Sequence, residues 1–156
     1  MPKIDETRQF IPVNIALLTV SDTRTFDDDR SGDALYQRAS EDGHSVLERA
    51  IVKDEVNLIK EKLNHWIRDP KIDVIISTGG TGFTGRDVTP EAFKATFEKE
   101  IEGFGELFRW ISFQKIGTST IQSRAVAGVA NGTYLFALPG STGACKDAWD
   151  EILHNQ

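Results

Sequence analysis

The residues of this sequence that could do chemistry gather in three short polar loops, each directly after an apolar run. The longest is Thr78-Gly79-Gly80-Thr81-Gly82-Phe83-Thr84-Gly85-Arg86-Asp87. Its glycines let backbone N–H groups come close to an anion, and the Thr78 and Thr81 hydroxyls add donors. Ser21-Asp22 and Pro139-Gly140-Ser141 are the other two. Taken singly, each is as much a tight turn as a binding loop. Their convergence at one sheet edge would favour a site for a small phosphorylated ligand, held by N–H groups without net positive charge.

Asp87 is the acid beside the longest loop. A carboxylate there can hold Mg²⁺, which takes one or two carboxylates and completes its shell with phosphate oxygens. The same residue could instead cap the helix that starts at Thr89. Asp54 suits the N-cap of an earlier helix. Asp27-Asp28-Asp29 is an acidic run of the kind that forms solvated surface. Cys145, inside a helical pattern, reads as a small buried residue and not a nucleophile. His44, His65 and His154 stand too far apart to build a zinc or iron site with it.

Gly80-x-Gly82-x-x-Gly85 matches the dinucleotide fingerprint, but its context fails. The fingerprint opens a helix at once, whereas Arg86-Asp87-Val88 intervene here before Thr89-Pro90. No ribose-binding acid ends a strand about 20 residues on, since Glu98, Glu100 and Glu102 lie in a helical or loop pattern. A Walker A loop is absent too, because no Gly-Lys-Ser/Thr occurs.

The elements that must position these loops follow from periodicity. Residues 11–20 (IPVNIALLTV) and 72–77 (IDVIIS) are apolar runs of strand length, which suit strands covered on both faces. A helix begins near Ser31-Gly32 and ends at Gly43, and 44–52 is a more polar strand. Val56, Ile59, Leu63, Trp66 and Ile67 fall on one helical face, stopped by Asp69-Pro70. Thr89-Pro90-Glu91 opens another helix, with a capping hydroxyl, proline at its first position and an early acid. Residues 104–116 form an aromatic-rich helix, and Thr142 begins the last one. Asn131-Gly132 between 124–130 and 133–138 signals an antiparallel hairpin. The pattern predicts an α/β fold, a three-layer α/β/α sandwich with a mostly parallel sheet plus that hairpin. In such sheets ligands bind beyond the carboxyl ends of the strands.

Bulk composition narrows the function. The chain has 156 residues, 39% hydrophobic and 27% charged, enough for one folded domain over 11–156 after a flexible segment 1–10. A net charge of −6 with no basic block argues against nucleic acid as a partner. No apolar run approaches membrane-spanning length, so no membrane partner is expected and the chain reads as cytoplasmic. One cysteine leaves no disulfide framework.

Thr19-Val20-Ser21-Asp22, Ser31-Gly32-Asp33, Ser77 to Gly82, Gly85-Arg86-Asp87-Val88-Thr89-Pro90-Glu91-Ala92 and Leu138-Pro139-Gly140-Ser141, in this order, resemble the MoaB/MogA family of molybdenum-cofactor proteins. The strings TVSDTRT and ALPGSTGACKDAW are nearer its bacterial MoaB branch. The resemblance implies an α/β/α domain that binds molybdopterin near Gly79 to Gly82 and moves AMP from ATP onto its phosphate, with Mg²⁺. A non-catalytic molybdopterin-binding or scaffolding oligomer is the alternative. The family's functional acids map onto Asp87 and Asp54, with Asp87 also the candidate Mg²⁺ ligand. Ser21, Gly79, Gly80, Thr81, Gly82, Pro139, Gly140 and Ser141 match its ligand-binding loops. Asp22, Ser31, Gly32, Thr78, Arg86 and Glu91 lie in or beside the matching motifs and are candidate ligand contacts as well. Self-assembly into a trimer, or a hexamer built from trimers, is implied, and the aromatic segment 104–113 offers a surface for it. Other molybdenum-cofactor biosynthesis proteins are expected partners.

Overall fold

The computed structural model describes residues 4–156, so residues 1–3 of the expected segment 1–10 lie outside the described part. The first strand, β1 (Asn14–Val20), sends Ile15 and Leu17 to one face and Ala16, Leu18 and Val20 to the other. Both faces are covered, so the strand shows no polar alternation. Beside it run β2 (Ser45–Val52) and β3 (Val74–Thr78), both parallel to β1, and β6 (Thr133–Leu138) runs parallel to β3. The hairpin strand β5 (Val126–Ala130) is antiparallel to β6. Asn131 and Gly132 join them at φ of 48° and 79°, the left-handed pair that a two-residue turn of this twist requires. With the short strand β4 (Lys99–Glu100) at the edge, the sheet order is β2-β1-β3-β6-β5-β4.

Helices α1 (Arg30–Glu41), α4 (Glu102–Ile116) and α5 (Thr142–Glu151) cover one face. Their Leu35, Ala39, Phe104, Phe108, Cys145 and Trp149 share a core with Ile15, Leu17 and Ile76. On the other face α2 (Val56–Arg68) and α3 (Thr89–Thr96) pack Ile59, Leu63, Trp66 and Phe93 against Leu18, Ile75 and Leu135. The three layers are those the sequence pattern predicts.

Several local expectations need correction. β4 (Lys99–Glu100) is a two-residue edge strand on β5, within a stretch expected to be helix or loop; it is too short for any period to register. β1 starts at Asn14 instead of residue 11, because Pro12 has no N–H and the Val13 N–H donates to His44 Nδ1 at 3.1 Å. Asp54 does not cap α2, which starts at Val56 behind Glu55 with no side-chain cap. Thr89 does not cap α3 either: Val88 holds that position, and the Thr89 hydroxyl is buried with no partner. Asp29 departs from the solvated run. It is fully buried and caps α1, accepting from Gly32 N at 3.0 Å, Thr19 Oγ1 at 2.6 Å and Arg49 at 3.3 Å. Asp27 and Asp28 are exposed, as expected.

His44 gives the fold an acid-sensitive joint. Its ring must be neutral for Nδ1 to accept from Val13, and burial holds its pKa below the ordinary 6.5, opposed in part by Asp42. A histidine depressed in the fold contributes stability above its unfolded value, and that stability is lost as pH falls through the lowered folded value. The melting temperature of the wild type should therefore drop between about pH 7 and 5. His44→Asn keeps an acceptor without a titrating ring and should drop less over the same range. Parallel declines in thermal melts would show that His44 carries none of this dependence.

Candidate functional site

β1, β3 and β6 are neighbours and parallel, so their carboxyl ends and the three polar loops stand side by side. The loops are tied backbone to backbone. Gly79 N donates to Leu138 O at 3.1 Å, and Thr78 Oγ1 to Pro139 O at 2.8 Å. Ser31, fully buried at the start of α1, donates to Gly140 O at 2.8 Å, while Gly32 is buried beneath the Asp29 cap. Ser141 caps α5 by accepting from Ala144 N at 3.2 Å, which sets that helix's positive end at the same edge. Ser21 Oγ accepts from Thr23 N and Arg24 N and so shapes the first loop. Cys145 packs beneath: its Sγ donates to Thr78 Oγ1 at 3.1 Å, and burial pushes the thiol up to about 11.

The charged residues interlock above these turns. Arg86 donates Nε and Nη2 to the two oxygens of Asp22, each at 2.9 Å, and Asp54 N donates to Asp22 Oδ1 at 3.1 Å. The Arg86 hydrogen bonds hold Asp22 below the usual carboxylate range. Asp87 Oδ2 accepts from Thr84 Oγ1 at 2.7 Å and Thr84 N at 2.9 Å, and these bonds depress its pKa. The reading of Asp87 as a cap of α3 does not survive, since its carboxylate closes its own loop. Asp54 differs. Burial raises its pKa, the negative charges of Asp22 and Asp87 raise it further, and Arg86 opposes them.

These acids flank the glycines. A Cβ on Gly80 would lie 3.0 Å from Asp54 Oδ1, and one on Gly82 would lie 2.7 Å from Asp87 Oδ2. No group of three or more His, Cys, Asp or Glu side chains able to hold a metal occurs among the described residues. A Mg²⁺ ion does not need one, because it takes one or two carboxylates and keeps phosphate oxygens and water for the rest. Asp54, raised by burial and by the charges of Asp22 and Asp87, and Asp87 itself are donors of the right hardness, and a nearby cation would favour the charged form of Asp54. The residues present therefore fit the ion.

The structure thus brings together Ser21, Asp22, Asp54, Thr78, Gly79, Gly80, Thr81, Gly82, Arg86, Asp87, Pro139, Gly140 and Ser141 at one edge. Ser31 and Gly32 support that edge from inside. Glu91 is turned aside, paired with Arg124. Sequence reasoning missed Arg124, whose guanidinium binds three loop carbonyls, along with Asp29 and Thr84. Nothing local signals Arg124, because its partners lie 33 to 43 residues away. No helix among the described residues is long and apolar enough to cross a membrane.

Comparison with known proteins agrees with this geometry. A family model described as Probable molybdopterin binding domain matches residues 16–156. Molybdenum cofactor biosynthesis protein B of Escherichia coli strain K12 is 52% identical over 148 residues, covering 95% of this chain and 87% of the relative. A crystal structure of a Molybdenum cofactor biosynthesis protein B aligns with a TM-score of 0.91 at 40% identity, over 94% of this chain and 92% of the other. The tungsten cofactor synthesizing protein MoaB from Pyrococcus furiosus aligns with a TM-score of 0.82 at 34% identity, over 91% of each.

Asp54 makes a test of the site's electrostatics. An acid whose folded pKa is raised adds stability below its unfolded value and loses it as pH rises through the folded value. Ionised Asp54 therefore costs stability at neutral pH. Asp54→Asn should melt higher than wild type at neutral pH, and the gap should close as pH falls towards the ordinary value of 3.8. An Asn variant that melts lower at neutral pH would contradict this account of the acid.

Proposed function

Because the chain belongs to the molybdopterin-binding family that its sequence matches, we propose that it serves molybdenum-cofactor biosynthesis by binding molybdopterin and transferring AMP to it from Mg·ATP. The observation that carries this reading is a glycine loop with a carboxylate on either side, set between two further loops at the ends of adjacent parallel strands. In the reaction, an oxygen of the molybdopterin phosphate forms a bond to the α-phosphorus of ATP. The bond from that phosphorus to the bridging oxygen breaks, and pyrophosphate leaves. Bound Mg²⁺ supplies neutralisation of the phosphate charge.

The chain's own residues supply placement and donors, which is most of what such a transfer needs. Backbone N–H groups of the glycine loop and the positive end of α5 face phosphate groups. Asp54 and Asp87 are the residues that would hold the cation. Arg86 and Asp22 pin the outer loop by their two-pronged pair. No nucleophilic side chain is required, which suits a site whose thiol is buried and protonated. The assembly is a trimer, or a hexamer built from two trimers, in the cytoplasm, working beside other molybdenum-cofactor biosynthesis proteins. Supporting it is the outer face of α4, where Leu107, Trp110 (63% exposed), Phe113 and Ile116 recur at three-residue spacing beside Ile121 (79% exposed).

One observation favours binding without transfer: the Asp87 carboxylate already closes its own loop through Thr84. Asp87→Asn separates the two. Its amide oxygen still accepts from Thr84, so the fold should melt close to wild type. Pyrophosphate release with molybdopterin and Mg·ATP should fall on the order of a hundredfold, the scale of losing one charge-stabilising group. Molybdopterin affinity should survive. A wild type that binds molybdopterin yet releases no pyrophosphate would establish the binding-only reading.

Assembly is tested apart from chemistry. Light scattering should show a trimer or hexamer, and Trp110→Glu should yield smaller species with the fold intact. A wild-type monomer at concentrations well above micromolar would remove the oligomer from this proposal.

A further inference from the structure

Arg124 stands between the 3-10 turn Gly117–Gln122 and β5, in a segment that contributes no loop to the site. The hairpin explains how it gets there. β5 runs against β6, so Val126 lies opposite Ala137, and the amino end of β5 sits at the edge where β1, β3 and β6 end. Arg109 of α4 fixes that amino end by donating Nη1 to Ser123 O at 3.3 Å and Ala125 O at 3.1 Å, on both sides of Arg124.

From this braced position the guanidinium reaches across the glycine loop. Nε donates to Thr81 O and Gly82 O, each at 3.1 Å. Nη2 donates to Gly82 O at 2.7 Å and Asp87 O at 2.9 Å. Nη1 pairs with the Glu91 carboxylate. In a trans peptide the carbonyl of one residue and the N–H of the next point to opposite sides. The described chain has no cis bonds. Holding the Thr81 and Gly82 carbonyls therefore turns the Gly82 and Phe83 N–H groups away from Arg124. Asp87 accepts from Thr84 N at 2.9 Å and Thr84 Oγ1 at 2.7 Å, and the Gly82 N–H helps to lower its pKa. The loop is gripped by a cation on its carbonyl side and by a carboxylate on its N–H side.

We propose that Arg124 is a positioning residue: without touching a ligand, it sets the peptide planes of residues 81–83 and 87–88 so that the loop N–H groups and Asp87 face the site, with Glu91 holding its free end. The inference deepens the adenylyl-transfer reading and rests on it for the catalytic consequence alone. It depends on the planar fork of guanidinium. A lysine keeps the charge but presents a point, and one ammonium cannot span three carbonyls and a carboxylate held by separate nitrogens.

The test is amide hydrogen exchange of the ligand-free protein, read by fragment, for wild type, Arg124→Lys, Arg124→Gln and Glu91→Gln. Exchange over residues 81–88 should quicken about tenfold or more in both Arg124 variants, the scale of losing one or two hydrogen bonds. Exchange in β1, β3 and β6 and the melting temperature should stay near wild type. Glu91→Gln should quicken the loop by less, since the carbonyl contacts remain. With molybdopterin and Mg·ATP, kcat/KM should fall for Lys as far as for Gln.

Arg124→Lys with unchanged loop exchange overturns the inference, because charge alone would then suffice. A rise spread over the whole chain with a collapsed melt overturns it too, making Arg124 a brace of the fold. If wild type releases no pyrophosphate while the loop responds to Arg124→Lys, the transfer reading falls and the positioning role stands. If wild type turns over and neither loop exchange nor kcat/KM responds, the positioning role falls and the transfer reading stands.

Discussion

A Cβ on Gly79 would stand 2.3 Å from the carbonyl oxygen of Val20, and one on Gly140 would stand 3.3 Å from the Gly79 Cα. At the carboxyl end of β3 the main chains of three loops touch with no side chain between them. Gly79 also adopts φ of +99° and Gly80 +72°, where other residues are strained. This contact lets β1, β3 and β6 end level, and the level ends bring the hydroxyls, the N–H groups and the acids to one place. Gly80 adds a second demand. Its carbonyl accepts from Thr89 N at 3.0 Å and so fixes where α3 begins. A Cβ there would lie 2.2 Å from Thr89 Oγ1. A bulky residue at Gly80 would therefore disturb the start of α3 as well as any ligand, and cannot serve as a clean probe of binding.

The electrostatics follow from that crowding. A chain of net charge −6 has gathered Asp22, Asp54 and Asp87 around one loop. Asp22 is stabilised by Arg86, and Asp87 by Thr84 with help from Arg124. Asp54 bears the cost of burial and the repulsion of the other two acids. Its neighbours leave it as the acid with most to gain from an incoming cation, and this imbalance is a property of the site before any ligand arrives. Deeper in, Asp29 shows the opposite solution: a fully buried carboxylate satisfied by a hydroxyl, a helix N–H and a guanidinium.

What the sequence made legible was whatever depends on neighbours along the chain. The doubly covered strands, the Asn131-Gly132 turn, the start of α5 at Thr142 and the apolar face of α2 all follow from spacing within a few residues. The failures share the opposite character. Asp54 and Thr89 read locally as helix caps and Asp29 as solvated surface, and tertiary partners decide each differently. Thr89 lies one position inside α3 with its hydroxyl buried and unpartnered, and Asp29 can cap α1 from a buried position because Thr19 and Arg49 satisfy its second oxygen. Arg124 was invisible because a carbonyl-binding arginine leaves no periodic trace. The glycine loop was legible as a polar turn at the end of β3, while what holds it in shape was not.

Cys145 lies beneath the same loops, with its thiol against Thr78 and Pro139 and its pKa at about 11. A thiol so placed has almost no thiolate at neutral pH and no path to a reagent while α5 stays on the sheet. The protein thus carries a silent reporter at the centre of its own machinery. Alkylating agents would mark it only in molecules where α5 has lifted, so the rate of modification measures how often that part of the structure opens. Oxidative conditions that damage exposed cysteines should pass this site by, and the edge where the three strands end needs no reducing partner to keep it intact.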